Sequence, residues 1–252
     1  MSGVSGPVRR TLAVALRVLQ QVRRDPRTIA LLVVVPCVLM TLLWWMFKDV
    51  PTFGQQGTFE RLGPDLLAIF PFIVMFLVTS VTTLRERSSG TLERLLAMPL
   101  GRLDFLLGYG IAFGVLAALQ SAAAVGVSVG LLGLTIHGHV WLLMIVAVAD
   151  AVLGCALGLF VSAFARTEFQ AVQFMPAVVI PQILLCGLFV ARDSLPGVLH
   201  GLSNVLPLSY AVAAMQKLTA GSDAVGGDLA IIAAYALGCL ALGAITLRRR
   251  TP

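Results

Sequence analysis

Six long apolar stretches constrain this chain more than any other feature of its sequence. They occupy residues 29–47, 64–84, 105–134, 140–164, 169–190 and 229–247. A bilayer core is crossed by about 20 apolar residues of α-helix, which pairs its own backbone polar groups. The pattern therefore predicts an all-α, polytopic membrane protein with six transmembrane helices in a membrane domain at 29–247. The third stretch has 30 residues, so we expect it to tilt, break or leave the bilayer.

The composition excludes several other classes of protein. Charged residues make up 12% of the 252-residue chain, whereas a soluble domain has about 25%. An ordinary soluble enzyme, a disordered chain and a secreted disulfide scaffold are therefore excluded. The four cysteines lie in apolar stretches without a C-x-x-C motif and are predicted to pack between helices. His137 and His139 form an H-x-H pair without a nearby Cys or carboxylate in the sequence, so we expect no metal site.

Only two lysines are present, and neither fits a nucleotide-binding loop. A P-loop places Lys directly after Gly to reach the phosphates, but Lys48 follows a phenylalanine and Lys217 follows a glutamine. The chain therefore has no Walker-type ATP site, and we expect no catalytic residue and no cofactor in it. If ATP drives this protein, the ATP and its magnesium ion bind to another chain.

The distribution of positive charge predicts how the helices are oriented. Cytoplasmic loops carry an excess of Lys and Arg, and 14 of the 18 basic residues lie in alternate segments on one side. These segments are the N-terminal residues 1–28, the loop 85–102, the loop after the fourth span and the basic tail 248–252. The excess of Arg over Lys indicates a GC-rich bacterial genome. We therefore expect a bacterial plasma-membrane protein with both termini in the cytoplasm.

Residues 8–24 are predicted to form an amphipathic helix ahead of the first span. Its apolar face consists of Leu12, Ala15, Leu16 and Leu19. Most of its arginines lie elsewhere on the helical wheel, where they can bind lipid phosphates. Asp25-Pro26 ends the helix before the membrane. We predict an interfacial helix on the cytoplasmic face that mainly anchors the chain to membrane lipid.

A second, shorter amphipathic helix is predicted in the loop 85–102. Its apolar stripe consists of Leu92, Leu95 and Leu96. Glu93 lies beside the stripe, and Pro99 ends the helix. Because such a short helix is marginal alone in water, we expect it to dock, either into a groove of a partner protein or onto lipid headgroups.

The same loop resembles the signature of ABC-2 type permeases, the membrane subunits of ABC exporters. The matching pattern E-x-x-x-G-T-L-E-x-L-L-x-x-P comprises Glu86, Gly90, Thr91, Leu92, Glu93, Leu95, Leu96 and Pro99. A second similarity to the family comprises Leu195, Pro196, Pro207, Leu208, Tyr210 and Ala211. Tyr109 stands where the family often has a Lys. The general plan of the family, an N-terminal interfacial helix, six spans and this loop, covers almost the whole chain.

The resemblance implies that the loop 85–102 holds a cytoplasmic coupling helix that docks onto a separate ATPase subunit. It also implies a transporter with two membrane halves and two ATPase copies, in which this chain pairs with itself or with a sister permease. Small permeases of this kind are similar to those of daunorubicin- and anthracycline-type drug exporters. We therefore expect export of a lipophilic drug, with lipid around the helices and no nucleic-acid partner.

The predicted external segment 191–228 precedes the last span. Its apolar pieces are shorter than a span, so we expect short re-entrant helices in the outer leaflet. Pro196 and Pro207 mark the starts of these pieces, and Tyr210 follows the second proline. The segment is either a lid over the exit path or a simple loop packed on the bundle.

Four polar side chains inside predicted spans are candidates for a translocation path: Asp150, Gln120, Gln173 and Gln182. A charged Asp at the bilayer centre costs about 2.5–3.5 kcal/mol on the insertion scale, so it must face protein or water. Asp150 therefore either contacts a cationic substrate, carries a proton, or is a neutral, hydrogen-bonded packing residue.

Three G-x-x-x-G pairs occur in the spans, at Gly110/Gly114, Gly126/Gly130 and Gly154/Gly158. Small residues at this spacing let helix backbones approach closely, since lipid provides no hydrophobic force for helix association. The chain has 24 glycines, so such pairs also arise by chance. We interpret them as packing positions and not as a dimerisation code.

Three functions are compatible with the sequence. The preferred one is the permease of an ATP-driven drug exporter, with a lipid or a glycan as an alternative cargo of the same class. An ion-coupled secondary carrier that uses Asp150 is an alternative of another class. A membrane subunit without transport activity is the third.

Overall fold

The computed structural model of the chain is a bundle of helices. It describes residues 5–50, 57–88 and 102–246, and within these ranges the chain forms nine α-helices and no β-strand. The helices are α1 (Ser5–Arg23), α2 (Pro26–Phe47), α3 (Thr58–Ser88), α4 (Arg102–Val125), α5 (Val140–Ser162), α6 (Glu168–Leu185), α7 (Gly197–Val205), α8 (Leu208–Thr219) and α9 (Gly226–Thr246). A π-helix at Gly126–Leu131 extends α4, and a 3-10 turn at Arg192–Ser194 precedes α7.

Six of the helices in the described part of the chain are long and apolar enough to cross a membrane. They are α2, α3, α4 with its π-helical end, α5, α6 and α9. The all-α fold with six spans, predicted from the apolar stretches, is therefore confirmed. The boundaries differ most from the prediction at the start of α3, which begins at Thr58 with Pro64 inside it, and at the end of α6, which is at Leu185. Gly187 takes the chain away from α6 at φ +108°, a value that glycine adopts without steric cost.

The third apolar stretch breaks, which is one of the expected outcomes for its length. The α-helical part ends at Val125, and the π-helix ends at Leu131. Gly133 then adopts a φ of +71°, and the next helix begins only at Val140. The apolar residues beyond Leu131 therefore belong to a connecting loop and not to the span.

Helices α3 and α5 pack closely at the centre of the bundle. Gly154 and Gly158 of α5 lie against the backbone of α3, where an added Cβ atom would collide with the carbonyl oxygens of Phe72 and Phe76. An added Cβ at Gly110, Gly114, Gly126 or Gly130 would meet nothing within 4 Å. One of the three G-x-x-x-G pairs therefore brings two helices of this chain together, as the packing interpretation predicts.

The N-terminal helix α1 packs against α4. Val14 and Val18 are buried, and Gly108 of α4 leaves the space that Val14 occupies. Leu12 and Leu16, which were predicted to lie on the apolar face of the helix, are exposed instead. The face of α1 that packs on the bundle is therefore shifted by one position from the predicted face. The helix thus offers one apolar face to the bundle and another to its surroundings, as an interfacial helix requires.

Asp25 separates α1 from α2 and caps the second helix. Its carboxylate accepts hydrogen bonds from the Thr28 hydroxyl, at 2.8 Å, and from the backbone N–H groups of Thr28 and Arg27. These bonds, led by the one from the Thr28 side chain, hold the pKa of Asp25 below its ordinary value. The contacts fix the turn at which the chain passes from the interfacial helix into the first span.

The segment before the last span forms two short helices, α7 and α8, as the sequence predicts. Pro196 and Pro207 stand immediately before them. The two helix axes differ by 90° across the break. Neither helix reaches the length of a span, which is consistent with the predicted re-entrant arrangement.

Candidate functional site

The predicted coupling motif begins at the end of α3. Glu86 is only 4% exposed, and its Oε1 atom lies 3.7 Å from Nη2 of Arg17 in α1. The remaining motif residues lie outside the described residues: Gly90, Thr91, Leu92, Glu93, Leu95, Leu96 and Pro99. The structure therefore places the first residue of the motif, and it connects this residue with the interfacial helix.

Arg85 connects the same end of α3 with α6. Its Nε and Nη2 atoms donate to the two carboxylate oxygens of Glu168, at 2.9 and 3.0 Å. Both side chains are at least half exposed, so the pair contributes at most about 1 kcal/mol, and its bidentate geometry favours one relative orientation of the two helices. The end of α3 is thus in contact with both α1 and α6. Arg17 and Glu168 could not be identified from the sequence, because their partners lie far away along the chain and no local pattern indicates the pairing.

Asp150 lies near the middle of α5 and is completely buried. Neither of its carboxylate oxygens has a hydrogen-bond partner in the part of the chain that the structure describes. Gln120 of α4 is also buried, and its Nε2 atom donates to the backbone oxygen of Pro71 at 3.4 Å. A buried carboxylate without a partner is costly, so Asp150 stays a candidate for a functional role.

The other two glutamines occupy different surroundings. Gln182 is buried, and its side chain accepts a hydrogen bond from the backbone of Leu208 and donates one to the backbone of Val178. Gln173 is exposed on α6. The structure therefore does not place the four predicted path residues in one common environment, and Gln182 has the contacts of a packing residue at the start of α8.

Arg192 holds the corner between α7 and α8. Its Nε atom donates to Oγ of Ser203 at 2.9 Å, and its Nη2 atom donates to Oδ1 of Asn204 at 2.5 Å. The guanidinium group also lies over the ring of Tyr210, 5.2 Å from its centroid. The hydroxyl of Tyr210 donates to the backbone oxygen of Asn204 at 2.7 Å. Tyr210, predicted as a lid residue, is thus part of the structure that fixes the 90° corner.

A pocket of about 600 Å³ opens beside this corner. Its walls come from the start of α3, the loop between α4 and α5, and the region from Gly187 to Ala220. Asp65 of α3 is 3% exposed and lines the pocket, and its Oδ1 atom accepts a hydrogen bond from Nε2 of Gln216 at 2.8 Å. The sequence analysis did not single out Asp65, although a carboxylate directly after Pro64 in an apolar stretch is a signal of function.

His137 of the H-x-H pair lines the pocket, and His139 contacts Asp223 in the loop after α8. His139 donates from its backbone N–H to Asp223, and its Nδ1 atom lies 2.6 Å from Oδ2 of the same residue. These two hydrogen bonds hold the pKa of Asp223 below its ordinary value. His137 contacts the backbone oxygen of Thr219 through Nδ1, at 2.9 Å. The histidines thus tie the loop before α5 to the end of α8, and the described residues contain no cluster of three metal ligands.

Six apolar helices, an amphipathic helix at the N-terminus and a bent pair of short helices define a multi-pass helical membrane protein. Residues 9–219 match the model of the ABC-2 type transporter family. The match covers most of the chain, so the chain belongs to the ABC-2 type transporter family.

Several curated proteins are similar to this chain. The probable multidrug ABC transporter permease YbhS of Escherichia coli is 29% identical over 156 residues, which cover 62% of this chain and 41% of that protein. The inner membrane transport permease YhhJ of Escherichia coli is 26% identical over 63% of this chain and 45% of its own length. ABC transporter G family member 20 of Dictyostelium discoideum is 27% identical over 63% of this chain and 22% of its own. The matched region thus spans less than half the length of these relatives.

Proposed function

We propose that the chain is the membrane permease of an ATP-driven exporter that removes lipophilic drugs or antibiotics from the cell. The observation that carries the proposal is the family match over residues 9–219. The name of one relative, a probable multidrug ABC transporter permease, supports a drug as the cargo, and that of another, a transport permease, supports a transport role. ATP and magnesium bind to a separate ATPase subunit, since the sequence offers no Walker-type site of its own.

The proposed mechanism couples the ATPase to the helices through the loop after α3. Two ATPase copies close on ATP and push on the coupling helices of two permease halves, each half being this chain or a sister permease. The contact of Glu86 with Arg17 and that of Arg85 with Glu168 support this route, because they join the end of α3 to α1 and α6. The substrate then leaves between the two halves.

The orientation follows from the same proposal. The coupling loop and both termini lie in the cytoplasm, so the corner of α7 and α8 and the pocket lie at the external end. Fourteen of the 18 basic residues support this orientation. In it, α7 and α8 form a lid at the exit of the substrate.

The docking of the coupling helix can be tested with two substitutions. Leu95→Asp places a charge in the apolar stripe and should release the partner ATPase from the membrane. Glu93→Ala substitutes a better helix former and removes a charged contact with an expected value of about 1.5–3 kcal/mol. It should therefore keep the helix but lose most transport and most substrate-stimulated ATP hydrolysis.

The measurement is the amount of ATPase in washed membranes, together with the transport rate. Ser89→Asp is the matched control, because it adds the same charge to the loop outside the stripe, and it should behave as the wild type. If both Leu95→Asp and Glu93→Ala retain the ATPase and transport normally, this loop is not the coupling element.

An ion-coupled carrier is the second candidate function, and the burial of Asp150 without a partner among the described residues favours it. In that case Asp150→Asn would abolish transport of every substrate, because the coupling ion would lose its site. In the exporter, we expect Asp150→Asn to alter the transport of cationic substrates more than that of neutral ones. Comparing the two substrate classes in membrane vesicles distinguishes the two functions.

A further inference from the structure

We propose that the pocket between α3 and α8 binds the protonated amine of an amphiphilic organic cation, with Asp65 as the carboxylate that contacts it. The assignment of this cation as a transported substrate rests on the exporter function proposed above. The binding itself does not depend on that function and is measured separately. Asp65 is not among the motif residues that carry the resemblance of the coupling loop or of the external segment to the family.

The first argument is the state of the Asp65 carboxylate. The side chain is 3% exposed and lines the pocket wall. Among the described residues, its side chain accepts a hydrogen bond from a neutral group, the amide of Gln216, at 2.8 Å. No cationic side chain of the described residues lies within 4 Å of it. A buried carboxylate with only a neutral donor is stabilised by any cation that can enter the pocket.

The second argument is that neither arginine of the pocket forms a direct ion pair with Asp65, although the charge of Arg61 acts on the carboxylate from a distance. The guanidinium of Arg192 is bound to Ser203, Asn204 and the ring of Tyr210. Arg61 lies one helical turn before Asp65 and is exposed. The local charge of the pocket can therefore attract an ammonium group to Asp65 without displacing an internal ion pair.

The third argument is the size and character of the pocket. Its volume of about 600 Å³ lies within the range of small-molecule sites, about 300–1,000 Å³. Leu188 and Ala213 line it together with the polar residues. Most of the lining is polar, so an amphiphilic cation would place its ammonium group at the carboxylates of Asp65 and Glu60 and its ring against the few apolar side chains.

The test measures binding of dansylcadaverine, a fluorescent primary amine, to the full chain in phosphatidylcholine nanodiscs. Its N-acetyl derivative is the matched neutral probe, with the same ring system and no charge. The wild type should bind the amine about tenfold or more tightly than the neutral probe, as expected for a charge-assisted hydrogen bond. Equal affinity for the two probes would overturn the proposal.

Four variants locate the binding site. Asp65→Asn keeps an acceptor for Gln216 and should reduce the preference for the amine to less than about twofold. Arg61→Gln removes a competing cation and should strengthen amine binding. Ala213→Phe fills the pocket and should weaken both probes. Asp49→Asn, an exposed carboxylate outside the pocket, is the control and should bind as the wild type does.

The outcomes separate this proposal from the exporter function. If Asp65→Asn folds and keeps the wild-type preference, the site is elsewhere and the proposal is wrong. If Asp65→Asn fails to fold, the proposal is tested by the other two variants. Arg61→Gln should then bind the amine more tightly and Ala213→Phe less tightly than the wild type, and unchanged affinities in both would overturn the proposal. ATP-dependent transport is measured in parallel. Transport that does not need the ATPase would contradict the proposed exporter function, whereas the measured affinities for the two probes would still stand.

Discussion

Glycine residues determine how closely the two central helices approach. Gly154 and Gly158 lie directly against backbone atoms of α3, whereas Gly110 and Gly114 face open space. The sequence predicted that glycine pairs serve packing, and the structure confirms this for Gly154 and Gly158. It could not predict which pair would pack, because the three pairs have identical spacing and differ only in the helix that lies opposite.

We expect Gly158→Leu to destabilise the chain strongly. The new side chain would overlap the backbone of Phe76. Overpacking of this kind lowers the free energy of unfolding by about 1–3 kcal/mol or more. The measurement is the apparent Tm in detergent and the amount of chain in the membrane fraction. Gly114→Ala, where an added Cβ meets nothing within 4 Å, should leave both unchanged. A Gly158→Leu variant as stable as Gly114→Ala would contradict the packing of α3 on α5.

The helices themselves were largely predictable, while the contacts between them were not. Apolar stretches of about 20 residues indicated all six spans, since the bilayer requirement is local in sequence. The end of α6 depends on Gly187 and the break of α4 on a π-helix, which a hydropathy pattern does not reveal. The contact of Asp65 with Gln216 joins residues 151 positions apart, so only the folded bundle brings them together.

At the scale of elements, the corner between α7 and α8 should depend on Arg192. We expect Arg192→Gln to loosen α7, because it removes the bonds to Ser203 and Asn204 and the contact with Tyr210. Amide hydrogen exchange should become faster in residues 197–205 and stay unchanged in α5. Lys217→Gln, which instead loses its bond to Asp228 at the start of α9, is the control. Unchanged exchange in α7 would show that Arg192 does not hold the corner.

The whole molecule presents apolar surface where lipid or a second half would lie. Helix α2 has an exposed apolar face formed by Leu31, Val34, Val38, Leu42 and Trp45. In a water-soluble protein such a face would be buried, so its exposure agrees with a membrane environment. The polar pocket and the predicted coupling loop lie at opposite ends of α3, one near Asp65 and the other after Glu86. This separation agrees with the proposed exporter, in which an ATPase acts at one end and the substrate leaves at the other.

The orientation of the whole molecule can be tested with reporter fusions. Fusions after Thr251 and at Ser89 should report the cytoplasm, and fusions at Gln55 and Asp223 should report the external side, because the basic residues cluster in the first set of segments. The measurement is the ratio of alkaline phosphatase to green fluorescent protein activity at each site. An external signal at Ser89 would contradict both the orientation and the coupling role of its loop.

The energy source tests the central claim most directly. Inside-out vesicles containing this chain and its ATPase are supplied with daunorubicin, and drug uptake is measured with ATP, with an uncoupler, and with an ATPase whose catalytic Glu is changed to Gln. Vesicles without the permease give the background. We predict uptake that needs ATP, persists with the uncoupler and stops with the hydrolysis-deficient ATPase. Uptake that persists with the deficient ATPase and stops with the uncoupler would contradict the exporter and support the ion-coupled carrier.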